Sequence, residues 1–276
     1  MKLFNKVAIV GVGLIGGSIA LALRKQGLCA RVVGVSRHKK SLLLAKKMHA
    51  INKGSQELNI IKGADLVILA TPVKKIISLA PLISNIIKKD CLVTDVGSTK
   101  EEITKSLTKI FPYYVGSHPL AGSEKRGIIN AHPDIFKGSL CILTPTKNTS
   151  RMALNKLKLF WNKLGARAVL LSPATHDKIL SFVSHLPHIV AFSLIGIVPK
   201  EFFRFASSGL KDTTRIAASD RELWTDIFLS NRKNTVEAIE LFKRHLSRIK
   251  SAIKKGDKKI LSKILKEAKN KRDNLV

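Results

Sequence analysis

The sequence has few cysteines and no arrangement of them that would cross-link the chain. The three, Cys29, Cys91 and Cys141, are scattered, with neither CxxC pairing nor zinc-type spacing. A disulfide framework and a structural metal site are therefore not predicted, and we expect reduced thiols. The first apolar run, residues 7–10, is too short for the core of a secretory signal. These features favour a cytoplasmic protein without a bound metal.

Long uninterrupted apolar runs are also missing. The most apolar later stretch, residues 182–198, contains Ser184, His185, Pro187, His188 and Ser193. Polar side chains and a proline at this density disfavour a helix that spans a lipid bilayer. The stretch instead predicts a buried helix of a globular domain.

Acidic and aromatic residues are scarce. There are 19 Asp and Glu against 49 Lys and Arg, which gives a formal net charge of +30, and aromatic residues make up 5% of the chain. The basic residues are spread along the sequence, without the interleaved aromatic side chains that stack on nucleic-acid bases. The charge is compatible with an anionic small substrate or with a lysine-rich surface, and nucleic-acid binding is kept as a remote alternative.

A length of 276 residues is natural for two domains. Short apolar runs at 6–10, 31–35, 66–70 and 91–94 alternate with helical segments, a pattern typical of a parallel sheet covered on both faces. From residue 173 onward the periodicity is only helical. The prediction is an α/β fold, with a doubly wound, mostly parallel Rossmann domain at 1–171 and an all-α substrate and dimerisation domain at 172–276.

A glycine-rich loop joins the first predicted strand to the first helix. It reads Gly11-Val12-Gly13-Leu14-Ile15-Gly16. In this GxGxxG arrangement the first glycine permits a tight turn, the second lets a pyrophosphate approach, and the third lets helix and strand pack closely. The predicted dinucleotide-binding residues are Gly11, Gly13, Leu14, Ile15 and Gly16.

The end of the second predicted strand indicates which dinucleotide binds. NAD-binding units usually carry an acidic residue there, which binds the ribose 2′-hydroxyl. Here Ser36 and Arg37 follow the strand and no acid is present. These two residues suit a 2′-phosphate, so NADP is the preferred prediction and NAD the second possibility. Thr71 and Pro72 follow the strand at 66–70 and are predicted to lie beside the cofactor.

A histidine is predicted beside this site. Ser98 and the Ser117-His118-Pro119 turn each follow a predicted strand, so we expect both on the rim where ligands bind. A neutral imidazole accepts a proton, and the guanidinium of Arg215 could clamp a carboxylate. The combination suits oxidation of an alcohol on an anionic substrate.

Five segments together resemble a known family. They are GVGLIGGS, DVGSTK, GSHPLAGSEKRG, SHLPH and LKDTTRIAASDRELWTDIFLSN, and in this order they cover nearly the whole chain. The sequence is similar to the prephenate/arogenate dehydrogenase family of tyrosine biosynthesis. The resemblance implies oxidative decarboxylation of prephenate or arogenate with NAD or NADP. It also implies a helical dimerisation domain like that of 6-phosphogluconate dehydrogenase, and hence a homodimer.

The resemblance also implies roles for individual residues. His118 would accept the proton of the ring hydroxyl, and Arg215 would hold the ring carboxylate. Ser98 would bind His118 or that hydroxyl and help to orient both. The residues implied to face the remainder of the substrate are His188, His185, Ser184, Ser123 and Trp224. Tyrosine could act as a competitive inhibitor at the same site.

Two questions remain open from the sequence. A related Rossmann-plus-helical oxidoreductase for a small hydroxy or imino acid would share the glycine loop, although it would not need both GSHP and SHLPH. Within the resembled family, prephenate and arogenate differ only in a keto or an amino group on the side chain, and the motifs do not distinguish them.

Overall fold

The computed structural model describes residues 2–122 and 125–275. The chain divides into two compact units, Met1–Asn231 and Arg232–Val276. The first unit contains every strand of the described residues and the second contains two helices. The predicted domain boundary at 171/172 lies inside the first unit and stays a prediction.

The first unit is built on a five-stranded parallel sheet with the order β3-β2-β1-β4-β5. Its strands are β1 Phe4–Val10, β2 Cys29–Val35, β3 Lys53–Ser55, β4 Leu66–Leu69 and β5 Leu92–Asp95. The parallel sheet and four of its strands were predicted. The short edge strand β3, with the sequence KGS, lacks the apolar pattern that would have predicted it.

Helices cover both faces of this sheet. They are α1 Leu14–Lys25, α2 Lys39–Lys47, α3 Val73–Ser84 and α4 Glu101–Leu107. Alternate side chains of β1 point to opposite faces, as the strand geometry requires. Val7 and Ile9 lie in one buried cluster with residues of α1, and Ala8 and Val10 lie in another with residues of α3. The central strand is therefore buried on both sides.

A second sheet begins where the first one ends. Tyr114 pairs with Val93 of β5, and the chain then continues into β6 Gly116–Pro119. This strand runs antiparallel to β7 Leu140–Thr144, which runs parallel to β8 Arg167–Leu170. The predicted turn at Ser117-His118-Pro119 is wrong, because His118 lies within β6 opposite Ile142. Pairing with a distant strand determines this conformation, and the small polar sequence GSHP does not reveal it.

Helices form the rest of the first unit. They are α5 Arg151–Lys163, α6 Pro173–Leu180, α7 Leu186–Ile197, α8 Ser208–Thr214 and α9 Arg221–Ser230. A wide π-helical segment, Ser181–His185, joins α6 to α7. Pro187 accounts for it, because proline has no N–H and its ring would clash with the carbonyl of Val183 in a regular α-helix. The helix predicted at 182–198 thus exists, with an irregular first turn.

The continuous helix Pro173–Ile197 is long and apolar enough to cross a bilayer, by length and composition alone. A buried helix was predicted here, and for the single chain this prediction is wrong. Only Ala191 is buried within α7. Large apolar side chains on and after this helix are exposed, among them Val183, Ile197, Phe202, Phe203 and Phe205. Exposed apolar surface of this extent is typical of an interaction site.

The second unit consists of α10 Arg232–Lys254 and α11 Lys258–Asp273, which pack against each other. The turn between them has Gly256 at a positive φ of 65°, and the Asp257 side chain accepts the N–H of Ile260 at 2.9 Å. The glycine therefore ends α10, and the aspartate caps the start of α11. The helical segment after Asp220 consists of two helices, α9 and α10, which are interrupted at Asn231.

Candidate active site

A cleft of about 710 Å³ opens at the carboxyl ends of the strands in the first unit. This is the edge of a parallel α/β sheet at which ligands bind. The cleft brings together twelve predicted site residues, namely Gly13, Leu14, Ile15, Thr71, Pro72, Ser98, His118, Ser184, His185, His188, Arg215 and Trp224. Gly11, Gly16, Ser36 and Arg37 are not among its lining residues, and Ser123 lies outside the described residues.

The glycine loop has the geometry that its sequence predicted. Gly11 has a φ of +104°, and a Cβ there would lie 2.3 Å from the carbonyl oxygen of Ala70. A Cβ on Gly16 would lie 2.0 Å from the carbonyl oxygen of Gly11, so the helix packs directly on the loop. By contrast, among the residues that the structure describes, no atom beyond Gly13 and its immediate chain neighbours lies within 4 Å of the Cβ position of Gly13. The loop therefore leaves open space at the N-terminus of α1, where a phosphate group fits.

The end of β2 lies next to this loop, because the N–H of Gly11 donates to the carbonyl of Val35 at 2.9 Å. Beyond it, the Ser36 hydroxyl accepts the N–H of His38 at 3.2 Å, and Arg37 is exposed. The Arg37 carbonyl accepts a hydrogen bond from Gln56 at 2.8 Å, which anchors the turn. A basic side chain is thus available beside the glycine loop.

His118 is the first member of a hydrogen-bonded chain of three side chains. Its Nδ1 lies 2.8 Å from Nε2 of His176, and Nδ1 of His176 lies 2.7 Å from Oδ1 of Asp177. Asp177 also accepts the backbone N–H groups of Lys100 at 2.7 Å and Glu101 at 2.9 Å. These donors identify Asp177 as an acceptor, so His176 donates through Nδ1 and accepts through Nε2.

The chain of hydrogen bonds determines the tautomer of His118. Because Nε2 of His176 accepts, Nδ1 of His118 must donate, and Nε2 of His118 carries the lone pair. Burial lowers the pKa of His118 well below its ordinary value, and the neighbouring His176 and Lys100 lower it further. Burial also lowers the pKa of His176 to about 2. His118 is therefore neutral near pH 7 and able to accept a proton.

A buried ion pair connects the two segments that lie next to this series of hydrogen bonds. Lys100 Nζ pairs with Asp95, and both side chains are fully buried. Asp95 also accepts the Tyr114 hydroxyl at 2.7 Å and the N–H of Gly97 at 2.8 Å. Lys100 further donates to the carbonyl of Ser117 at 2.9 Å, one residue before the cleft histidine. The network joins the loop after β5 to strand β6.

Sequence reasoning missed His176, Asp177 and Lys100. The first two form an adjacent His-Asp pair in the first turns of α6, which was the only local signal. Their function depends on a contact with His118, 58 residues away in sequence. Ser98 lines the cleft, and its expected contact with His118 or with the substrate hydroxyl stays a prediction, while Nδ1 of His118 is directed to His176.

Aromatic and basic side chains form the opposite wall. The rings of His188 and Trp224 stack with centroids 3.5 Å apart, and Nδ1 of His188 donates to the carbonyl of Ser184 at 2.9 Å. Burial lowers the pKa of His188, and the nearby Arg215 lowers it further. Arg126 also lines the cleft and pairs with Asp220, the cap of α9.

The chain is similar to known proteins over nearly its whole length. Residues 19–170 match the model of the prephenate dehydrogenase nucleotide-binding domain, and residues 172–267 match that of the prephenate dehydrogenase dimerization domain. The chain is 35% identical to prephenate dehydrogenase of Bacillus subtilis (strain 168), over 98% of this chain and 76% of that protein. It is 33% identical to cyclohexadienyl dehydrogenase of Zymomonas mobilis, over 99% of this chain and 96% of that protein.

A solved structure is similar over almost the whole chain. It is the crystal structure of prephenate dehydrogenase from A. aeolicus in complex with hydroxyphenyl propionate and NAD+, with 37% identity and a TM-score of 0.94. The match covers 99% of this chain and 98% of that one. The predicted Rossmann-plus-helical fold and the predicted family are thereby confirmed. The chain belongs to the prephenate dehydrogenase family.

Proposed function

We propose that this chain catalyses the oxidative decarboxylation of prephenate or arogenate in tyrosine biosynthesis. The observation that carries the proposal is a proton acceptor, His118, in one cleft with the glycine loop and Arg215. The first of these fits removal of a hydroxyl proton, the second a dinucleotide and the third a carboxylate. The relatives named prephenate and cyclohexadienyl dehydrogenase support the same chemistry.

The residues present fit a nicotinamide dinucleotide. A side chain at Gly11 would clash with the carbonyl of Ala70, so only glycine fits this tight turn. The open space at Gly13 leaves room for a pyrophosphate. Residues that would hold the cofactor are Gly11, Gly13, Leu14, Ile15 and Gly16, with Thr71 and Pro72 at the adjacent rim. When bound, this cofactor supplies the hydride acceptor.

His118 performs the proton transfer. Its Nε2 accepts the proton of the ring hydroxyl as that carbon is oxidised, and the neutral tautomer required is the one that His176 and Asp177 hold. These two are positioning residues, since they act through His118. Loss of CO₂ makes the substrate ring aromatic, so this step needs no strong base, and the protein's task is alignment. Ser98 helps to orient the hydroxyl from the loop after β5.

Arg215 binds and orients the ring carboxylate. Strong stabilisation of that group would oppose its departure as CO₂, so the contact serves positioning rather than bond cleavage. The wall of Ser184, His185, His188 and Trp224 faces the rest of the substrate, together with Ser123 outside the described residues. Tyrosine, which is the product formed from arogenate and resembles the product formed from prephenate, would compete for the same wall.

The preferred cofactor is NADP, with NAD as the second possibility. Ser36 and Arg37 follow β2 without an acidic neighbour, and Arg37 is exposed beside the glycine loop. A guanidinium there suits a 2′-phosphate. The A. aeolicus relative was solved with NAD+. The preference of this chain for NADP therefore rests on Ser36 and Arg37 in the turn after β2.

The protein is proposed to act in the cytoplasm as a homodimer formed through its C-terminal helices. The exposed apolar side chains Ile197, Phe202, Phe203 and Phe205 support this assembly, because a partner subunit would remove them from water. The second matched family model, described as a dimerization domain, supports it as well.

Replacing the proton acceptor is expected to reduce turnover with little effect on binding. His118→Asn should lower kcat by at least about 10²-fold with a modest change in KM, because a general base contributes that much. Arg215→Ala should chiefly raise KM. Steady-state kinetics with prephenate and arogenate measure both. Near-normal turnover of His118→Asn would show that another group takes the proton.

The positioning role of His176 is tested by a matched pair of variants. His176→Leu removes the acceptor for Nδ1 of His118 and should lower kcat by about 10²-fold or more, because the wrong tautomer then becomes accessible. His176→Gln restores an acceptor oxygen and should recover most of that loss.

The pH profile provides the accompanying readout. Because the folded-state pKa of His118 is lowered, wild-type kcat/KM should remain constant as the pH falls through 6.5 and decline only below it, as His118 becomes protonated. Equal activities of the two His176 variants, or a decline centred at or above pH 6.5, would contradict the assignment.

The cofactor turn is tested by Arg37→Ala. Loss of a charge-assisted hydrogen bond should lower kcat/KM with NADP+ by about tenfold or more, and leave the value with NAD+ within about threefold. The control is Lys40→Ala, which removes an exposed positive charge on the neighbouring helix α2. A wild-type enzyme that clearly prefers NAD+ would overturn the NADP assignment.

Sedimentation equilibrium tests the assembly. The wild-type chain should have twice the 30.4 kDa mass of one chain. Phe205→Ser, at a side chain that is 72% exposed, should weaken the dimer by about tenfold or more, as expected for an aromatic interface residue. Leu43→Ser, a similarly exposed apolar position on α2, should leave the dimer intact. A monomeric wild-type chain would exclude the proposal.

A further inference from the structure

Asn231 lies at the break between α9 and α10, and its side chain contacts His185, which lines the cleft. The residue is buried, with 4% of its surface exposed. Its side-chain nitrogen donates to the carbonyl of Asp177 at 2.7 Å and lies 3.2 Å from Nδ1 of His185. A carbonyl only accepts, so the first contact identifies the amide nitrogen, and the second N–H of that nitrogen is directed to the imidazole.

This contact determines where His185 carries its proton. An amide nitrogen donates and does not accept, so Nδ1 of His185 must hold a lone pair, and the proton of the neutral ring is on Nε2. A protonated ring would place one N–H against another. The neutral state is supported by burial, which lowers the pKa of His185 to about 4 against the opposing effect of Asp177 and with a smaller contribution from His188.

The ring of His185 is held within the substrate wall. It contacts Trp224 edge-on, with centroids 6.1 Å apart, and Phe228 at 6.5 Å. His185 lines the same cleft as His118 and Arg215. Its Nε2–H is therefore a preformed hydrogen-bond donor whose tautomer Asn231 selects.

The neighbouring His188 has the opposite hydrogen-bonding role at its Nε2 atom. His188 donates through Nδ1 to the carbonyl of Ser184, so in its neutral form Nε2 of His188 is an acceptor. A buried donor such as His185 needs an oxygen or another lone pair opposite it, and it is left unpaired beside an ammonium group. The two candidate substrates differ at this kind of group, because one carries a keto oxygen and the other an ammonium.

We propose that Asn231 holds His185 as a hydrogen-bond donor, and that this donor makes the enzyme select prephenate, the keto acid, over arogenate, the amino acid. The inference rests on the proposed function and adds the substrate specificity that the sequence left open. His185 is the residue that reads the side chain, and Asn231 is a positioning residue that acts through it.

The test is the ratio of kcat/KM for prephenate to that for arogenate, in wild-type enzyme and in two matched variants. A glutamine amide reaches the position of Nε2, whereas an asparagine amide reaches only that of Nδ1. Wild-type enzyme should prefer prephenate by at least about tenfold, since a site built to bond a polar group rejects an analogue that cannot bond it. His185→Gln should keep most of this preference, and His185→Asn should reduce it by about tenfold, mainly through lower efficiency with prephenate.

Nitrogen-15 NMR of the wild-type imidazoles provides a readout that does not depend on activity. It should show His185 protonated at Nε2 and bare at Nδ1, and Asn231→Asp, whose carboxylate accepts from Nδ1–H, should reverse this. Protonation at Nδ1 in the wild-type protein, equal efficiencies with both substrates, or an unchanged ratio in His185→Asn would overturn the inference. Failure of the wild-type enzyme to oxidise either substrate would instead overturn the proposed function.

Discussion

The carboxylate of Asp177 is the constraint on which the cleft depends. It accepts the backbone N–H groups of Lys100 and Glu101 and the Nδ1–H of His176, and it is almost fully buried. Burial raises the pKa of Asp177, and the backbone donors and the charge of Lys100 offset only part of that increase. A buried charge is tolerated when it is bonded in this way, and removing it would leave three donors unsatisfied. One side chain thus joins α6 to the start of α4 and determines the proton position on His118.

Local patterns explain what the sequence could predict. Parallel strands buried on both faces are continuous apolar runs, so β1, β2, β4 and β5 could be recognised, and the glycine loop could be assigned glycine by glycine. The participation of His118, Arg215 and Trp224 in one cleft followed from motifs in separate segments. These features depend on residues close in sequence, or on motifs specific enough to identify a family.

Long-range contacts explain what was missed. The strand conformation at His118 depends on pairing with β7, and its partner His176 is 58 residues away. The break at Asn231 lies inside a pattern that is helical on both sides, and the buried bonds to Asp177 and His185 are visible only in the folded chain. The apolar character of residues 182–198 was recognised correctly. Hydrophobicity does not reveal, however, whether residues of the same chain or of another one bury such a helix.

The π-helical segment at Ser181–His185 has a geometric consequence for the whole enzyme. Each residue of an α-helix advances the side-chain direction by about 100°, so one additional residue in a turn rotates everything after it by that angle. The segment before the widened turn carries Asp177, which bonds to His176, and the segment after it presents apolar side chains that are mostly half-buried, with Ile197 exposed at its end. The wide turn therefore rotates one half of a continuous helix relative to the other, and it sets the angle between the face that carries Asp177 and the apolar face of α7.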